Sequence, residues 1–283
     1  MYTINCRGKL ISLDPPKVMG IINLTPDSFY QESRQQALGA ALRKAEEMLE
    51  LGAAFLDLGA YSSRPNAEDI STDEEAKRLM PALKAIVKEF PEAVISVDTF
   101  RSRVAYQAVQ EGAAIINDIS GGGMDENMFA TVAELQVPYI LMHMRGTPRT
   151  MMTQNTYADI CADLVGYFSQ GISRLRNMGL RDLIIDPGFG FAKHPSQSLE
   201  LLGRLDELKV AGCPLLAGLS RKSMLYKTLG TGPEQALNAT TAANTLALLK
   251  GANILRVHDV KEALETIKIF SSLSGDCSGR LQL

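Results

Sequence analysis

Polar side chains stand at the end of nearly every short apolar segment of this chain. Each segment has the length and the β-branched content of a buried strand. The polar residues that end the segments are Asn23, Ser62-Ser63-Arg64, Asp98, Asn117, His143, Asp186, Ser220-Arg221-Lys222 and Arg256. Stretches with helical spacing of apolar residues separate the segments, and this alternation indicates parallel strands joined by helical crossovers. About eight such units are what a (β/α)8 barrel requires.

We therefore predict an α/β fold, a (β/α)8 TIM barrel with an N-terminal β-hairpin, in one domain over residues 1–283. An open doubly wound sheet is the alternative, but it collects ligand residues at one switch point, whereas here they end strands throughout. Residues 3–13 alternate around Arg7-Gly8-Lys9, which predicts the hairpin at the N-terminal end of the barrel. The predicted helices lie near 37–49, 73–89, 101–111, 125–136, 157–178, 196–210, 233–250 and 260–272. We expect the tail after about residue 273 to be poorly ordered.

The bulk composition excludes several classes of protein. Lys and Arg total 29 against 32 Asp and Glu, a net charge of −3, so no bulk field attracts nucleic acid or an anionic membrane. No apolar run approaches the roughly 18 residues of a spanning helix, and the first residues lack the apolar core of a signal peptide. The four cysteines have neither CxxC nor metal-ligand spacing, which is typical of a reducing compartment. We expect a cytoplasmic protein that holds any anionic substrate with a few placed cations.

Two strand-end carboxylates, Asp98 and Asp186, suggest a heterocyclic ligand. An acid near a barrel axis is partly desolvated and needs a donor partner. A guanidine-like ring edge offers paired N–H donors to a carboxylate, and Asn117 can both donate and accept. For either aspartate alone, capping the next helix or pairing with Lys222 is the favoured interpretation. We favour ligand binding because the four residues occur together at strand ends.

A second group of residues suggests an anion site. Arg256 and His258 are two positions apart on a predicted strand, so they face the same side and provide two cations. With Arg64 and the amide of Asn23 they suit a diphosphate. Asn23 also offers an oxygen ligand to Mg2+, which binds through few protein groups plus substrate phosphates. The alternative for His258 is to cap the helix that follows it.

Nearby polar residues also have structural interpretations. Arg256 has the alternative of a salt bridge to Asp57 or Asp98. Asp57 lies within a strand, and a supporting role beneath the site and a purely structural one are equally open. Asp118 faces away by alternation and is interpreted as structural. His143, between two methionines, is predicted to pack rather than to catalyse.

The segment Gly188-Phe189-Gly190-Phe191 follows Asp186 directly. Glycines let a backbone pass close to a ligand, and phenylalanines provide walls for an aromatic one. Lys222 lies after a strand near a helix start, so we interpret it as a hydrogen-bond donor and charge partner. A Schiff-base lysine would project from the strand itself, which argues against a phosphosugar aldolase.

The chain resembles the dihydropteroate synthase family over about residues 5–272. The segments that carry the resemblance are Gly20-Ile-Ile-Asn-Leu-Thr-Pro-Asp-Ser-Phe29, Ser62-Ser-Arg-Pro65, Ile95-Ser-Val-Asp-Thr99, Ile115-Ile-Asn-Asp118, Leu141-Met-His-Met144, Asp186-Pro-Gly-Phe-Gly-Phe191, Ser220-Arg-Lys-Ser223 and Arg256-Val-His-Asp259. The resemblance implies a barrel that joins 6-hydroxymethyl-7,8-dihydropterin diphosphate to 4-aminobenzoate in folate biosynthesis. It also implies Mg2+ as cofactor, a homodimer, and competition between sulfonamides and 4-aminobenzoate.

The resemblance assigns roles to individual residues. The residues implied to bind the pterin are Asp98, Asn117, Asp186, Phe191 and Lys222. Those implied to bind the diphosphate are Asn23, Ser63, Arg64, Arg256 and His258, with Asn23 also a ligand to Mg2+. Those implied to bind 4-aminobenzoate are Ser63, Pro65, Phe191, Lys222 and Ser223. We expect Asp98, Lys222 and Arg256 to act in catalysis, with no protein nucleophile.

The chain departs from the family's pattern in its loops. Tyr30-Gln31-Glu32 replaces a usual Asp-Gly-Gly, Tyr61-Ser62-Ser63 replaces Glu-Ser-Thr, and Asn66 and Ala192 each replace a Gly. Because the strand-end residues are intact, we expect pterin binding to be kept and 4-aminobenzoate affinity to be the more affected. A pterin-dependent methyltransferase shares the barrel and the acids but needs no diphosphate site. A non-catalytic pterin-binding paralogue is the third alternative.

Overall fold

The computed structural model describes residues 1–24, 34–63 and 69–273. The predictions for Arg64, Pro65, Tyr30-Gln31-Glu32, Asn66 and the tail after residue 273 lie outside the described residues. Two short strands, β1 (Thr3–Cys6) and β2 (Lys9–Ser12), form an antiparallel hairpin. The strands that follow are β3 (Lys17–Asn23), β4 (Phe55–Gly59), β5 (Ile95–Asp98), β6 (Ile115–Asp118), β7 (Tyr139–Met142), β8 (Leu183–Asp186), β9 (Leu216–Ala217) and β10 (Ile254–Val257).

Helices alternate with these strands. They are α1 (Arg34–Leu51), α2 (Thr72–Glu89), α3 (Ser102–Gln110), α4 (Met128–Leu135), α5 (Ile160–Asn177), α6 (Pro195–Gly203), α7 (Ser223–Tyr226), α8 (Leu237–Leu249) and α9 (Val260–Leu273). Short 3₁₀ helices cover Met151–Thr153, Leu205–Ala211 and Pro233–Gln235. Within the described ranges, no helix has both the length and the apolar character needed to cross a membrane.

The strands β3 to β10 form one parallel sheet in the order β8-β7-β6-β5-β4-β3-β10-β9. An isolated parallel bridge between Ile185 and Leu215 joins the two ends of this order, where the Ile185 N–H donates to the Pro214 carbonyl at 2.9 Å. The predicted TIM barrel is therefore confirmed. Its outer face packs against the helices through a continuous set of buried aliphatic side chains.

Two predicted helices differ in detail from those observed. The segment predicted near 196–210 is divided after Gly203 into α6 and the 3₁₀ helix Leu205–Ala211, which is capped by Gly212 with a φ of +64°. Pro233 begins a separate 3₁₀ turn closed by bonds from residue 235 to 232 and 236 to 233, so α8 begins only at Leu237. The sequence analysis did not predict α7, which is only four residues long.

The N-terminal hairpin closes the lower end of the barrel, as predicted. Arg7 and Gly8 both have positive φ, 54° and 88°, the geometry of a tight hairpin turn that keeps the strand twist. This turn directs Ile4, Cys6 and Leu13 into the barrel, where they form one buried cluster with the lowest interior side chains. The apolar plug removes water from that end.

The interior of the barrel has two layers of different character. The lower layer consists of Met19, Phe55, Ile115, Ile140, Ile184, Leu216 and Ile254. The upper layer, two residues farther along each strand, consists of Ile21, Asp57, Asn117, Met142, Asp186, Gly218 and Arg256. Side chains two apart on a strand face the same side, so the layers share one axis. The polar upper layer faces the C-terminal ends of the strands, where barrels of this kind build their sites.

Candidate active site

A cavity of about 620 Å³ opens at the C-terminal ends of the barrel strands. It contains all the predicted site residues that the structure describes. These are Asn23, Ser63, Asp98, Asn117, Asp186, Phe191, Lys222, Ser223, Arg256 and His258. The parallel register of the strands explains this convergence, because it brings every strand end to the same rim.

Two acids hold Arg256: Asp57 on β4 and Asp98 on β5, two strands that lie side by side. Its Nε donates to Asp57 Oδ2 at 2.6 Å, and one terminal nitrogen donates to Asp98 Oδ2 at 2.8 Å. The sequence analysis treated these salt bridges as the weaker alternative, and the structure forms both of them. The reason is burial: Asp57 is fully buried and needs a cationic partner. Burial raises the pKa of Asp98 to about 7, although Arg256 opposes the shift.

Asn117 presents an unused acceptor to the cavity. Its Nδ2 donates to Asp57 Oδ2 at 3.0 Å, which fixes the orientation of the amide. Its Oδ1 is buried and has no hydrogen-bond partner among the described residues. A buried acceptor without a partner is costly, and an N–H donor from a ligand would remove that cost. Asp57 therefore has the supporting role that the sequence left open.

The carboxylate of Asp186 is oriented by the turn that follows it. Oδ1 accepts the Gly188 N–H at 2.7 Å, which leaves Oδ2 to face the cavity near Gly218. Burial raises the pKa of Asp186, while the Gly188 bond acts in the opposite direction. Gly188 has a φ of +67°, and a Cβ there would lie 2.2 Å from the His143 carbonyl oxygen. Only glycine allows this close turn.

Lys222 forms part of the cavity wall beside the aromatic turn. Its Nζ lies 4.5 Å from the centroid of the Phe191 ring, a cation–π distance. Burial lowers the pKa of Lys222 to about 8, with Asp186 opposing the shift. The preceding residue, Arg221, has a φ of 54° and binds both carboxylate oxygens of Asp259, at 2.7 and 3.1 Å. This ion pair fixes the turn that directs Lys222 into the cavity.

His258 is not the cation that the sequence analysis expected. Burial, with the nearby charge of Arg256 as the second cause, lowers its pKa to about 4, so the ring is neutral near pH 7. The Ser220 oxygen accepts the His258 backbone N–H at 3.2 Å and lies 2.9 Å from Nδ1. In one tautomer of the neutral ring, Nδ1 accepts the Ser220 hydroxyl proton and the ring proton is on Nε2. In that tautomer His258 offers the cavity a neutral N–H donor.

Comparisons with known proteins agree with this geometry. A family profile described as pterin binding enzyme matches residues 19–258. Dihydropteroate synthase of Escherichia coli strain K12 is 40% identical over 265 residues, which cover 93% of each chain. Its counterpart in Synechocystis is 40% identical over 259 residues, covering 90% of this chain and 89% of that one. The chain belongs to the dihydropteroate synthase family.

Solved structures of this family have the same fold. A Yersinia pestis dihydropteroate synthase in complex with a sulfonamide drug superimposes with a TM-score of 0.90 at 37% identity, covering 96% of this chain and 99% of that one. A Xanthomonas albilineans dihydropteroate synthase with 4-aminobenzoic acid gives 0.89 at 35% identity, covering 96% and 98%. The protein is therefore an enzyme of the folate pathway that transfers a pterin-bearing group, and the methyltransferase alternative is set aside.

One departure from the dihydropteroate synthase pattern has a clear structural setting. Tyr61, in place of the usual Glu, packs edge-on against Phe100 with ring centroids 4.9 Å apart. The Arg101 guanidinium lies 5.3 Å from the Tyr61 ring centroid, and the Tyr61 hydroxyl donates to Asp69 at 3.3 Å. Tyr61 thus contributes an aromatic wall to the cavity, where the family usually has a charge.

Sequence reasoning missed Lys193. This lysine lines the cavity yet is only 2% exposed, and its Nζ lies 2.9 Å from His143 Nδ1. The residues that follow it, His194-Pro195-Ser196-Gln197, give no indication of burial. His143 itself is buried and its ring packs edge-on against Tyr167, in agreement with the prediction of a packed side chain. Nε2 of the neighbouring His194 lies 2.8 Å from Asn155 Nδ2.

Proposed function

We propose that this enzyme joins 6-hydroxymethyl-7,8-dihydropterin diphosphate to 4-aminobenzoate and releases 7,8-dihydropteroate and diphosphate. The observation that carries the proposal is that Asn117, whose buried Oδ1 has no partner among the described residues, lines one cavity together with Asp186 and Lys222. That set matches the mixed donor and acceptor edge of a pterin. Relatives solved with 4-aminobenzoate support the second substrate.

The pterin end of the cavity is built from acceptors held rigidly from behind. We infer that Asp186 accepts two N–H groups of the ring, because the Gly188 N–H already holds its other oxygen in place. Asn117 accepts a third ring N–H, and Lys222 donates to a ring acceptor. Phe191 packs beside the ring system. Asp186 and Asn117 are buried before the ligand arrives, and Phe191 and Lys222 are half-buried, which lowers the entropic cost of binding.

The diphosphate end offers donors rather than a dense positive charge. We infer that His258 donates from Nε2, that Ser63 and Asn23 donate from hydroxyl and amide groups, and that Arg256 uses the N–H groups not held by the two acids. Arg64 is part of this proposal from the family pattern and lies outside the described residues. Neutral donors suffice for orientation, and the remaining charge must be compensated from elsewhere.

Magnesium is consistent with this chemistry as an ion shared with the substrate. Within the described residues no group of three His, Cys, Asp or Glu side chains forms a metal site. The exposed amide of Asn23 lines the cavity and provides one hard oxygen donor. Mg2+ commonly binds through one or two protein groups together with substrate phosphates. When bound there, it would supply positive charge to the departing diphosphate.

The chain's own residues define the remaining chemistry. We propose that the carbon–oxygen bond to diphosphate breaks first and that the electron-rich dihydropterin carries the positive charge on its exocyclic methylene. Asp98, held by Arg256, stabilises this charge electrostatically. The aniline nitrogen then forms the new carbon–nitrogen bond and loses one proton. Ser63, Pro65, Phe191, Lys222 and Ser223 are proposed to hold 4-aminobenzoate, with Pro65 outside the described residues.

Release of diphosphate tests the proposed function directly. Purified protein is mixed with the pterin diphosphate and Mg2+, with or without 4-aminobenzoate. We expect diphosphate release that depends on 4-aminobenzoate, with dihydropteroate formed in equal amount. Pterin binding without any turnover would instead support the non-catalytic paralogue. Sulfonamides should raise the KM for 4-aminobenzoate without changing kcat, and inhibition insensitive to 4-aminobenzoate would contradict the assigned subsite.

We also propose a homodimer formed through the outer face of α8 and α9. Four large apolar side chains lie on this face, and their exposed fractions are 51% for Leu246, 58% for Leu249, 68% for Ile269 and 75% for Leu273. Exposed apolar area of this kind is typical of an association surface. Sedimentation of the wild type should give twice the monomer mass, and Leu249→Asp should give the monomer. A monomeric wild type would contradict the proposal.

A cytoplasmic location agrees with the cysteine chemistry. Cys6, Cys161 and Cys213 are buried and free of disulfide bonds. Burial raises the pKa of Cys161 to about 11, which leaves the thiol protonated and inert. Buried, unreactive thiols are compatible with a reducing compartment. We propose on this basis that the enzyme acts in the cytoplasm.

A further inference from the structure

Lys193 is a buried lysine that contacts no carboxylate among the described residues, and burial lowers its pKa to about 7. Its Nζ lies 2.9 Å from His143 Nδ1, 3.1 Å from the Gly188 carbonyl oxygen and 3.1 Å from the Phe191 carbonyl oxygen. An ammonium has three protons, and these three acceptors use all of them. The acceptors are dipoles rather than charges, so the site compensates the burial of the lysine only in part.

The histidine in this site is an acceptor. Burial is the main cause that lowers the pKa of His143 to about 2, and the charge of Lys193 contributes. The ring is therefore neutral, and Nδ1 accepts the lysine proton. The His143 carbonyl also lies 3.5 Å from the Lys193 Nζ. Lys193 thereby connects the end of β7 to the turn that follows β8.

The turn after β8 has an unusual backbone that requires such a cation. Positive φ occurs at Gly188 (67°), Gly190 (78°) and Ala192 (48°). This alternation directs the carbonyls of Gly188 and Phe191 inward to the Lys193 Nζ. Buried carbonyls without donors destabilise a turn. The Gly188 carbonyl already accepts the Phe191 N–H at 3.0 Å, so the lysine adds a second donor there and provides a donor to the Phe191 carbonyl.

The same turn carries side chains of both proposed substrate subsites. Gly188 donates its N–H to Asp186 at the pterin end, while Phe191 packs against Lys222 beside the 4-aminobenzoate subsite. Lys193 binds the carbonyl groups of these two turn residues. A displacement of the turn would therefore move the acid and the aromatic ring together.

We propose that Lys193 is a positioning residue for both substrates. Its ammonium holds the Gly188–Phe191 turn against His143, and through this turn it sets the orientation of the Asp186 carboxylate and the Phe191 ring. The proposal rests on the proposed function, because it assumes that the turn separates a pterin subsite from a 4-aminobenzoate subsite. Lys193 itself does not act on the reacting atoms.

The first test replaces the ammonium by an apolar group of similar length. Lys193→Met removes all three donors and leaves their acceptors unsatisfied, but it also removes the cost of burying the amine, so we expect the chain to fold with a lower melting temperature. We expect pterin affinity by calorimetry to fall and the KM for 4-aminobenzoate to rise, each on the order of tenfold. Lys88→Met, on the exposed face of α2, is the matched control and should change neither quantity.

Variants of the histidine test the same contact from its other partner. His143→Asn keeps an acceptor near the position of Nδ1, whereas His143→Leu removes it. We expect the Asn variant to resemble the wild type and the Leu variant to show the same double loss as Lys193→Met. A Lys193→Met chain with unchanged pterin affinity and unchanged KM would overturn the proposal. So would a chain that loses only melting temperature. A wild-type chain that binds no pterin would instead overturn the proposed function.

Discussion

The lower and upper layers of the barrel interior are built on the same strands and face the same axis, yet they do opposite work. Ile184 lies two residues before Asp186 on β8, and Ile254 lies two residues before Arg256 on β10. The lower layer packs on the hairpin plug and contains little but carbon. The upper layer buries acids, an amide and a guanidinium that need partners, and the described residues leave Asp57 Oδ1 and Asn117 Oδ1 without one. One layer stabilises the barrel, and the other uses that stability to hold groups where burial is costly.

The largest expected effect comes from Asp186→Ala. We expect pterin affinity to fall at least a hundredfold, equivalent to about 3 kcal/mol, because a charge-assisted contact to the ring is lost. The melting temperature should not fall greatly, since a buried acid is removed. The matched change one layer below, Ile184→Ala, should cost about 3 kcal/mol of unfolding free energy and leave pterin affinity unchanged. Calorimetry and urea unfolding distinguish the two, and unchanged pterin affinity in Asp186→Ala would contradict the assignment.

Removal of Arg256 should affect both stability and one end of the site. Arg256→Ala leaves Asp57 and Asp98 without their cation, and the loss of one partner from such a buried pair costs about 3 to 5 kcal/mol. Asp57→Asn in the same chain should restore part of that loss. In the folded fraction, the diphosphate should bind more weakly while the dihydropterin alcohol binds as before. Equal losses for the two ligands would show that the site is not divided into two ends.

The titration of Lys222 should appear in the stability of the chain. Its folded pKa of about 8 is below its ordinary value of about 10.4, so between these limits the unfolded chain holds a proton that the folded chain has lost. Wild-type stability therefore rises with pH across this window, by up to about 1.4 kcal/mol per pH unit, and this contribution levels off below pH 8, where both states hold the proton. Urea unfolding of wild type and Lys222→Met at pH 8, 9 and 10 should show a difference that grows with pH in favour of the wild type. A constant difference would mean that this lysine keeps its ordinary pKa.

The smallest expected effect lies in the plug. Ile4→Val removes one buried methylene from the hairpin face that packs on the lower layer, which should cost about 1 kcal/mol. Neither KM should change, because the lower layer separates the plug from the cavity. A change in substrate affinity would show that the two layers are mechanically coupled.

Sequence reasoning succeeded where a side chain's role follows from its place on a strand. Asp98, Asn117, Asp186 and Arg256 end strands, and parallel pairing brings strand ends together whatever the loops do. It was weaker where the role depends on neighbours from other strands. The pairing of Arg256 with Asp57 was undervalued because the partners are 199 residues apart.

The missed features depend on backbone geometry or on burial. The residues that follow Lys193 give no indication of burial, and only the inward carbonyls of the turn reveal why it is buried. His258 was expected to be charged because its burial and its distance from the Arg256 guanidinium cannot be deduced from the neighbouring sequence. Both of these lower its pKa. The spacing of Gly188 and Gly190 was a usable sequence signal for the turn, because both glycines, and Ala192 after them, have positive φ.

The way the barrel closes has a mechanical consequence. Between β8 and β9 the sheet continues through an isolated bridge at Ile185 and Leu215, whereas neighbouring strands share longer ladders. Fewer hydrogen bonds mean a smaller free energy of local opening, so we expect this seam between β8 and β9 to open before the other strand pairs of the barrel. The seam runs between Asp186 on one side and the Gly218–Lys222 turn on the other. Local opening would therefore separate the cavity wall along a line between Asp186 and Lys222. Hydrogen exchange of the Ile185 amide would measure this opening.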